Sequence, residues 1–236
     1  MKIDIHSHIL PGIDDGAKTL EESVQLVTEM ASWGFERITC TPHITKKFRN
    51  TPEIIKEKFD ILCNAMAEKG SGIELRMSAE YRLNPETWPD ILSNGSLMPI
   101  EDSFILMELP INDPSEMGYL KPMEEFRKVI SLGLTPILPH PERYFYLEHD
   151  DLLRFLDAGV KIQSNYGSLA GIYGQEAQSS ARRFIDEGIV SFLASDMHNM
   201  HYIKEIGAWL KEEGNSLWDF CKKKMRLRRS RGDASY

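Results

Sequence analysis

Seven short apolar runs punctuate the chain, at residues 2–6, 37–41, 73–79, 104–108, 135–139, 160–164 and 190–194. They are short and largely continuous rather than strictly alternating, which is the pattern of parallel strands covered on both faces. Longer amphipathic stretches lie between them. Thr19-Leu20-Glu21-Glu22 predicts a capping box that opens a helix to about Trp33, closed by Gly34. Thr51-Pro52 predicts an N-cap with proline at the first helical position, and a helix to about Lys69-Gly70. Three further helices are expected over residues 116–132, 150–158 and 175–187, each followed by a glycine (Gly133, Gly159 and Gly188). Repeated strand–helix units predict an α/β fold with a parallel sheet, closed as a barrel or doubly wound. Residues 83–102 contain Pro85, Pro89 and Pro99 and read as a long connection. No Gly- or Ser-rich linker divides the chain, so residues 1–221 are expected to form a single domain.

Composition narrows the class. The chain has 236 residues, of which 42% are hydrophobic, enough for one barrel-sized core. The formal charge of -8 disfavours a general binder of nucleic-acid phosphates. No stretch approaches the ~18 uninterrupted apolar residues of a membrane span, and Met1-Lys2-Ile3-Asp4 turns polar too early for a secretory signal. Cys40, Cys63 and Cys221 are odd in number and lack metal-site spacing, so a reducing, cytoplasmic setting is expected. The last fifteen residues, 222–236, hold seven cations (Lys222, Lys223, Lys224, Arg226, Arg228, Arg229 and Arg231) against Asp233 alone, leaving 21 basic and 35 acidic residues, or -14, in the rest. This basic tail has no apolar period and is expected to be a solvated terminus, with docking to an acidic partner as the functional alternative.

Candidate chemistry sits at the strand ends. In Asp4-Ile5-His6-Ser7-His8 the two imidazoles are two residues apart and, on a strand, face one side. The pattern recurs: His43 follows the second run, Glu80 the third, Glu108 ends the fourth, His140 follows the fifth, and Asp196 and His198 follow the seventh. The carboxyl ends of barrel strands converge on one face. Charged groups gathered there on apolar strands would repel or stay desolvated without cations between them. Asp14-Asp15-Gly16 adds a ligand candidate that could equally be a simple turn. Mixed imidazole and carboxylate donors suit zinc, manganese or iron better than magnesium or calcium. Arg143, three residues after His140, is placed to grip a phosphate, with a surface ion pair to Glu142 or another acid as the plainer alternative. A cysteine nucleophile of the Cys-x5-Arg kind is disfavoured, because Lys46, Lys69 and Leu227 occupy the arginine position after the three cysteines.

At these residues the chain resembles the PHP superfamily (polymerase and histidinol phosphatase), and most closely its bacterial metal-dependent protein-tyrosine phosphatases of capsule and exopolysaccharide systems. The resemblance rests on Asp4-Ile5-His6-Ser7-His8, Asp14-Asp15-Gly16, Thr41-Pro42-His43, Ala79-Glu80, Glu108, His140-Pro141-Glu142-Arg143-Tyr144 and Ala194-Ser195-Asp196-Met197-His198-Asn199. It implies a distorted TIM-like (β/α)7 barrel and three divalent ions, commonly manganese or iron. His6, His8, Glu80 and Asp196 would hold one ion; Glu80, Glu108 and His140 a second; Asp15, His43 and His198 the third. The implied substrate is phosphotyrosine on the tail of a bacterial tyrosine kinase, attacked by a metal-bridging hydroxide, with Arg143 on the phosphate and Asp196 or His198 near the leaving group. The family's second arginine has no counterpart in Met200-His201-Tyr202-Ile203-Lys204, where Lys204 is the substitute candidate. The same metals would serve a small-molecule phosphatase such as one acting on histidinol phosphate, or a non-catalytic metal-stabilised interaction module.

Overall fold

The computed structural model describes residues 2–214; the basic tail and Cys221 lie outside them. Strands and helices alternate along most of the chain. The strands are β1 (Ile3–Asp4), β2 (Arg37–Cys40), β3 (His43–Ile44), β4 (Glu74–Met77), β5 (Glu80–Arg82), β6 (Phe104–Glu108), β7 (Thr135–Pro139), β8 (Lys161–Asn165) and β9 (Phe192–Ala194). The helices are α1 (Leu20–Ser32), α2 (Pro52–Glu68), α3 (Trp88–Asn94), α4 (Pro122–Ser131), α5 (His149–Asp157), α6 (Tyr166–Leu169), α7 (Gln175–Asp186) and α8 (Met200–Trp209). None of the described helices is long and apolar enough to cross a membrane.

All named strand pairings are parallel, in two sheets of order β1-β2-β4 and β3-β5-β6-β7-β8-β9. The sheets are two arcs of one ring. β2 continues into β3 through Thr41-Pro42, and β4 into β5 through Ser78-Ala79; across these breaks the Ser78 N–H donates to Cys40 O and the Glu80 N–H to Pro42 O. Pro42 has no N–H to give to a ladder, which suits it to the break. The other seam is closed by the first and last strands. The Asp196 N–H donates to His6 O at 2.9 Å and the His8 N–H to Met197 O at 2.8 Å, with a parallel bridge between Ser7 and Met197.

The fold is thus the expected single-domain α/β barrel, with two of the expected strands each continued by a second short strand, β3 and β5, that the sequence reading did not include. Inside the ring Ile5, Leu106, Ile137 and Ala194 form a small apolar cluster with Ile100. The larger core lies between strands and helices, and includes Ile38, Met107, Phe126, Leu138, Phe155 and Phe184.

The helical expectations hold for α1, α2, α5 and α7 within a residue or two. Thr19 and Thr51 cap as expected, accepting from the N–H groups of Glu22 and Ile54. The third helix begins at Pro122 rather than residue 116, because Pro122 occupies the first helical turn; a 3-10 turn, Pro114–Met117, precedes it. The connection over residues 83–102 contains α3, in which Pro89 falls in the tolerated first turn.

Candidate metal centre

The ring's register builds the site. His43 pairs with Glu80 across β3 and β5, and Arg82 with Glu108 across β5 and β6. His43 and Glu80 therefore open strands rather than follow them. His6 and His8 leave β1, while Asp196 and His198 leave β9 on the adjoining seam. His140 and Asp196 have left-handed backbone (φ 36° and 50°) at the exits of β7 and β9, a strained conformation that redirects a side chain and tends to mark functional positions.

Five imidazoles and four carboxylates meet there: His6, His8, His43, His140 and His198 with Asp15, Glu80, Glu108 and Asp196. Glu80 is central. Its Oε1 lies 3.4 Å from His6 Nε2 and 3.3 Å from His140 Nε2, and its Oε2 lies 3.3 Å from His8 Nε2 and 2.9 Å from His43 Nδ1. Asp196 Oδ1 faces the Nε2 atoms of His6 and His8 at 3.3 and 3.4 Å. Asp15 Oδ1 stands 3.5 Å from the Nε2 atoms of both His43 and His198. Glu108 flanks His43 and His140 at 3.8 and 3.9 Å. All nine sequence candidates are thus in one cluster, mostly buried, with Asp15 exposed at its edge.

The surrounding groups fix which nitrogen points inward. The Asp196 carbonyl can only accept, so His198 Nδ1–H donates to it at 2.8 Å. His6 Nδ1–H donates to Gln163 Oε1 at 2.9 Å, and Gln163 in turn donates Nε2–H to Asn165 Oδ1. His8 Nδ1–H donates to Asp14 Oδ2 at 2.8 Å. Each leaves an Nε2 lone pair turned to the cluster, the usual support of a metal-ligating histidine. The adjacent aspartates therefore divide the work: Asp14 stands behind His8, and Asp15 faces in. The residues by themselves left that choice open, and the family resemblance chose Asp15. Sequence reasoning missed Gln163, Asn165 and Arg82, whose guanidinium grips Glu108 through Nε at 2.6 Å and Nη2 at 3.1 Å.

The donor set fits divalent cations. Burial disfavours charge on His6, yet Glu80 and Asp196 outweigh it and lift the imidazole to about 9. Burial would raise Asp196, but the neighbouring imidazoles His6 and His198 hold it well below the ordinary carboxylate range. Without a cation, protons must balance these carboxylates; a cation replaces them. His43 Nδ1 and Glu80 Oε2 are buried without a hydrogen-bond partner although they face each other, as two donors sharing an ion would.

Arg143 lies on the rim, mostly buried. Its Nη1 donates to Asp196 Oδ2 at 3.2 Å, and the rest of its five N–H donors have no protein partner among the described residues. The acid it pairs with is thus Asp196 and not Glu142, whose carboxylate accepts from Ser164 Oγ and the Asn165 N–H. Asp196 Oδ2 also accepts from Asn165 Nδ2 at 2.7 Å, so Asp196 is an anchored anion rather than a proton donor. Lys204 is exposed on α8 and makes no hydrogen bond or ion pair with any of the nine.

Fold and cluster together define a parallel α/β barrel that gathers imidazoles and carboxylates able to hold metal ions around the ends of its strands. Residues 2–204 match the family model described as "Capsular polysaccharide synthesis, CpsB/CapC", and the chain belongs to this family. It is 31% identical over 210 residues to the tyrosine-protein phosphatase CpsB of Streptococcus agalactiae, covering 84% of this chain and 83% of that protein. It is 28% identical over 201 residues to the tyrosine-protein phosphatase YwqE of Bacillus subtilis, covering 84% and 78%. A crystal structure from work on YwqE of B. subtilis and CpsB of Streptococcus pneumoniae, described as unique metal-dependent tyrosine phosphatases, is similar with a TM-score of 0.77 at 26% identity, covering 95% of this chain and 94% of that one.

Proposed function

We propose that this protein is a metal-dependent protein-tyrosine phosphatase, acting in the cytoplasm on the phosphorylated tail of a bacterial tyrosine kinase that controls exopolysaccharide or capsule synthesis. The observation that carries the reading is Glu80, whose two oxygens each face two imidazoles at the centre of a mostly buried nine-residue cluster. Three divalent ions suit that arrangement, with manganese the first choice and iron or zinc the alternatives. His6, His8, Glu80 and Asp196 would hold one; Glu80, Glu108 and His140 a second; Asp15, His43 and His198 the third. When bound, such ions stabilise charge on phosphoryl oxygens and make water acidic enough to attack at neutral pH.

The chain's own residues do the rest. Arg143, tied to Asp196 by one edge, offers its remaining N–H groups to the phosphoryl oxygens, and this grip strengthens as their charge grows. Asn165 and Gln163 keep Asp196 and His6 oriented. A phenolate leaves with a pKa of ~10, easier than an alkoxide, so a strong protein acid is less necessary. A cysteine route is disfavoured on structural grounds as well: Cys40 is fully buried in β2, where burial pushes its thiol far above the ordinary range.

The test is a kinetic comparison of manganese-loaded protein on a phosphotyrosine peptide, histidinol phosphate and p-nitrophenyl phosphate, preceded by elemental analysis. Preference for the peptide is expected. Preference for histidinol phosphate would make the protein a small-molecule phosphatase, and absence of turnover with full metal content would make it a binding module.

A further inference from the structure

Arg143 is held by more than its single hydrogen bond. Its guanidinium lies over the ring of Tyr173, 4.2 Å from the centroid. Tyr173 sits in the turn after α6, and its hydroxyl donates to Asp196 Oδ2 at 3.4 Å, the same oxygen that receives Arg143. Its ring packs edge-on against Tyr202, at 5.9 Å between centroids, and Tyr202 in turn lies 5.7 Å from His198. Gly167 in α6 makes the room: a Cβ there would stand 3.2 Å from Tyr173 Cε2. An arginine's side chain has several free torsions, and a grip on phosphate requires its fork to be held in one plane.

We propose that Tyr173 is a positioning residue for phosphate capture. Its ring covers one face of Arg143, fixes the plane of the guanidinium, and leaves the unpartnered N–H edge turned toward a phosphoryl group. Arg143 remains the group that touches substrate, and Tyr173 acts through it. The inference rests on the phosphatase reading above. It also accounts for how the rim retains a phosphate without a second arginine: the one arginine is pre-set, so less freedom is lost on binding.

The test uses full-length manganese-loaded protein and inorganic phosphate as the probe, with affinity measured by calorimetry and by inhibition of p-nitrophenyl phosphate turnover. Tyr173→Leu is expected to weaken phosphate binding by about 3- to 30-fold, the range of a partly desolvated cation–π contact, and to raise KM in parallel while kcat changes less. Tyr173→Phe keeps the ring and should bind phosphate as the wild type does. In an Arg143→Ala background, Tyr173→Leu should cause no further loss. Metal content and melting temperature are measured alongside. If Tyr173→Leu fails to retain metal, Gly167→Ala replaces it: tilting the ring must then weaken phosphate binding with metal content intact.

Wild-type phosphate affinity in Tyr173→Leu, or in Gly167→Ala where that variant is used, overturns the proposal. So does equal weakening by Tyr173→Phe, or an undiminished Tyr173→Leu effect without Arg143. Wild-type protein that leaves phosphotyrosine peptide untouched removes the underlying reading instead.

Discussion

Replacing Gly16 by alanine tests how the site is assembled, because Gly16 touches no cation site itself. The residue is buried, and the 14–16 loop is laid directly on the main chain of His8. A Cβ at Gly16 would fall 2.5 Å from His8 Cβ and closer still to the His8 carbonyl oxygen. His8 cannot retreat, since its N–H is bonded to Met197 O across the barrel seam and its carbonyl already accepts from the Ala17 N–H at 3.0 Å. The loop must therefore lift. Overpacking of this kind costs about 1–3 kcal/mol, and at ~2–4 °C per kcal/mol for a domain of this size that is a fall of about 2–12 °C in melting temperature, measured in chelator.

The effect on metal should be larger. The Gly16 N–H orients Asp14 through Oδ1 at 2.9 Å, and Asp14 orients His8; loss of such support costs roughly 10- to 100-fold in affinity. Asp15, on the same loop, is carried away from His43 and His198. Equilibrium dialysis against manganese with elemental analysis, and differential scanning calorimetry with and without chelator, read the two effects separately. A Gly16→Ala protein that melts with the wild type in chelator and fills at the same manganese concentration would refute the reasoning.

Other outcomes follow from the same geometry. Chelation should lower the melting temperature of loaded protein by about 5–11 °C, given ~2.7 kcal/mol at a hundredfold excess of ion over Kd and the conversion above; an unchanged melting curve would mean that no ion is bound in the cluster. Arg82→Met strands the buried Glu108 carboxylate and should destabilise the metal-free protein by about 3–5 kcal/mol in urea titrations, and the loaded protein less; an equal loss in both states would speak against Glu108 facing a cation. Arg143→Lys keeps the charge but not the fork, so kcat/KM on phosphotyrosine peptide should fall about 10- to 150-fold, the worth of one charge-assisted hydrogen bond, with melting unchanged. Cys40→Ala should keep wild-type turnover in the same peptide assay, and its loss would reopen the cysteine route.

Much of this was legible in the chain because parallel strands buried on both faces leave uninterrupted apolar runs, and because the residues of interest sit where those runs stop. His6, His8, Glu108, His140 and Asp196 are found this way. What stayed hidden depends on register or on turn geometry. The bidentate hold of Arg82 on Glu108 spans 26 residues and exists only because β5 and β6 pair in one register. Asp14 and Asp15 are identical in type and adjacent, so residue type alone does not separate them; the resemblance names Asp15, and the path of the loop over His8 supplies the physical reason. Gln163 is a polar residue within an apolar strand, a signal present in the run 160–164 but without a partner to interpret it. Prolines misled in two opposite ways: Pro89, in the first turn of α3, reads locally like a loop, whereas the helix expected over 116–132 runs through Pro122, which instead begins α4. Asn199, which caps α8 by accepting from the His201 and Tyr202 N–H groups, had been absorbed into the metal motif.

The place of Glu80 has a consequence for how such a centre can change. Under the proposed ligand assignment one side chain is the common wall of neighbouring compartments, so no compartment can be emptied, enlarged or re-tuned for another element in isolation. Filling should be interdependent from one ion to the next, and any lineage that drifts toward a different metal must shift the whole assembly together rather than one pocket at a time.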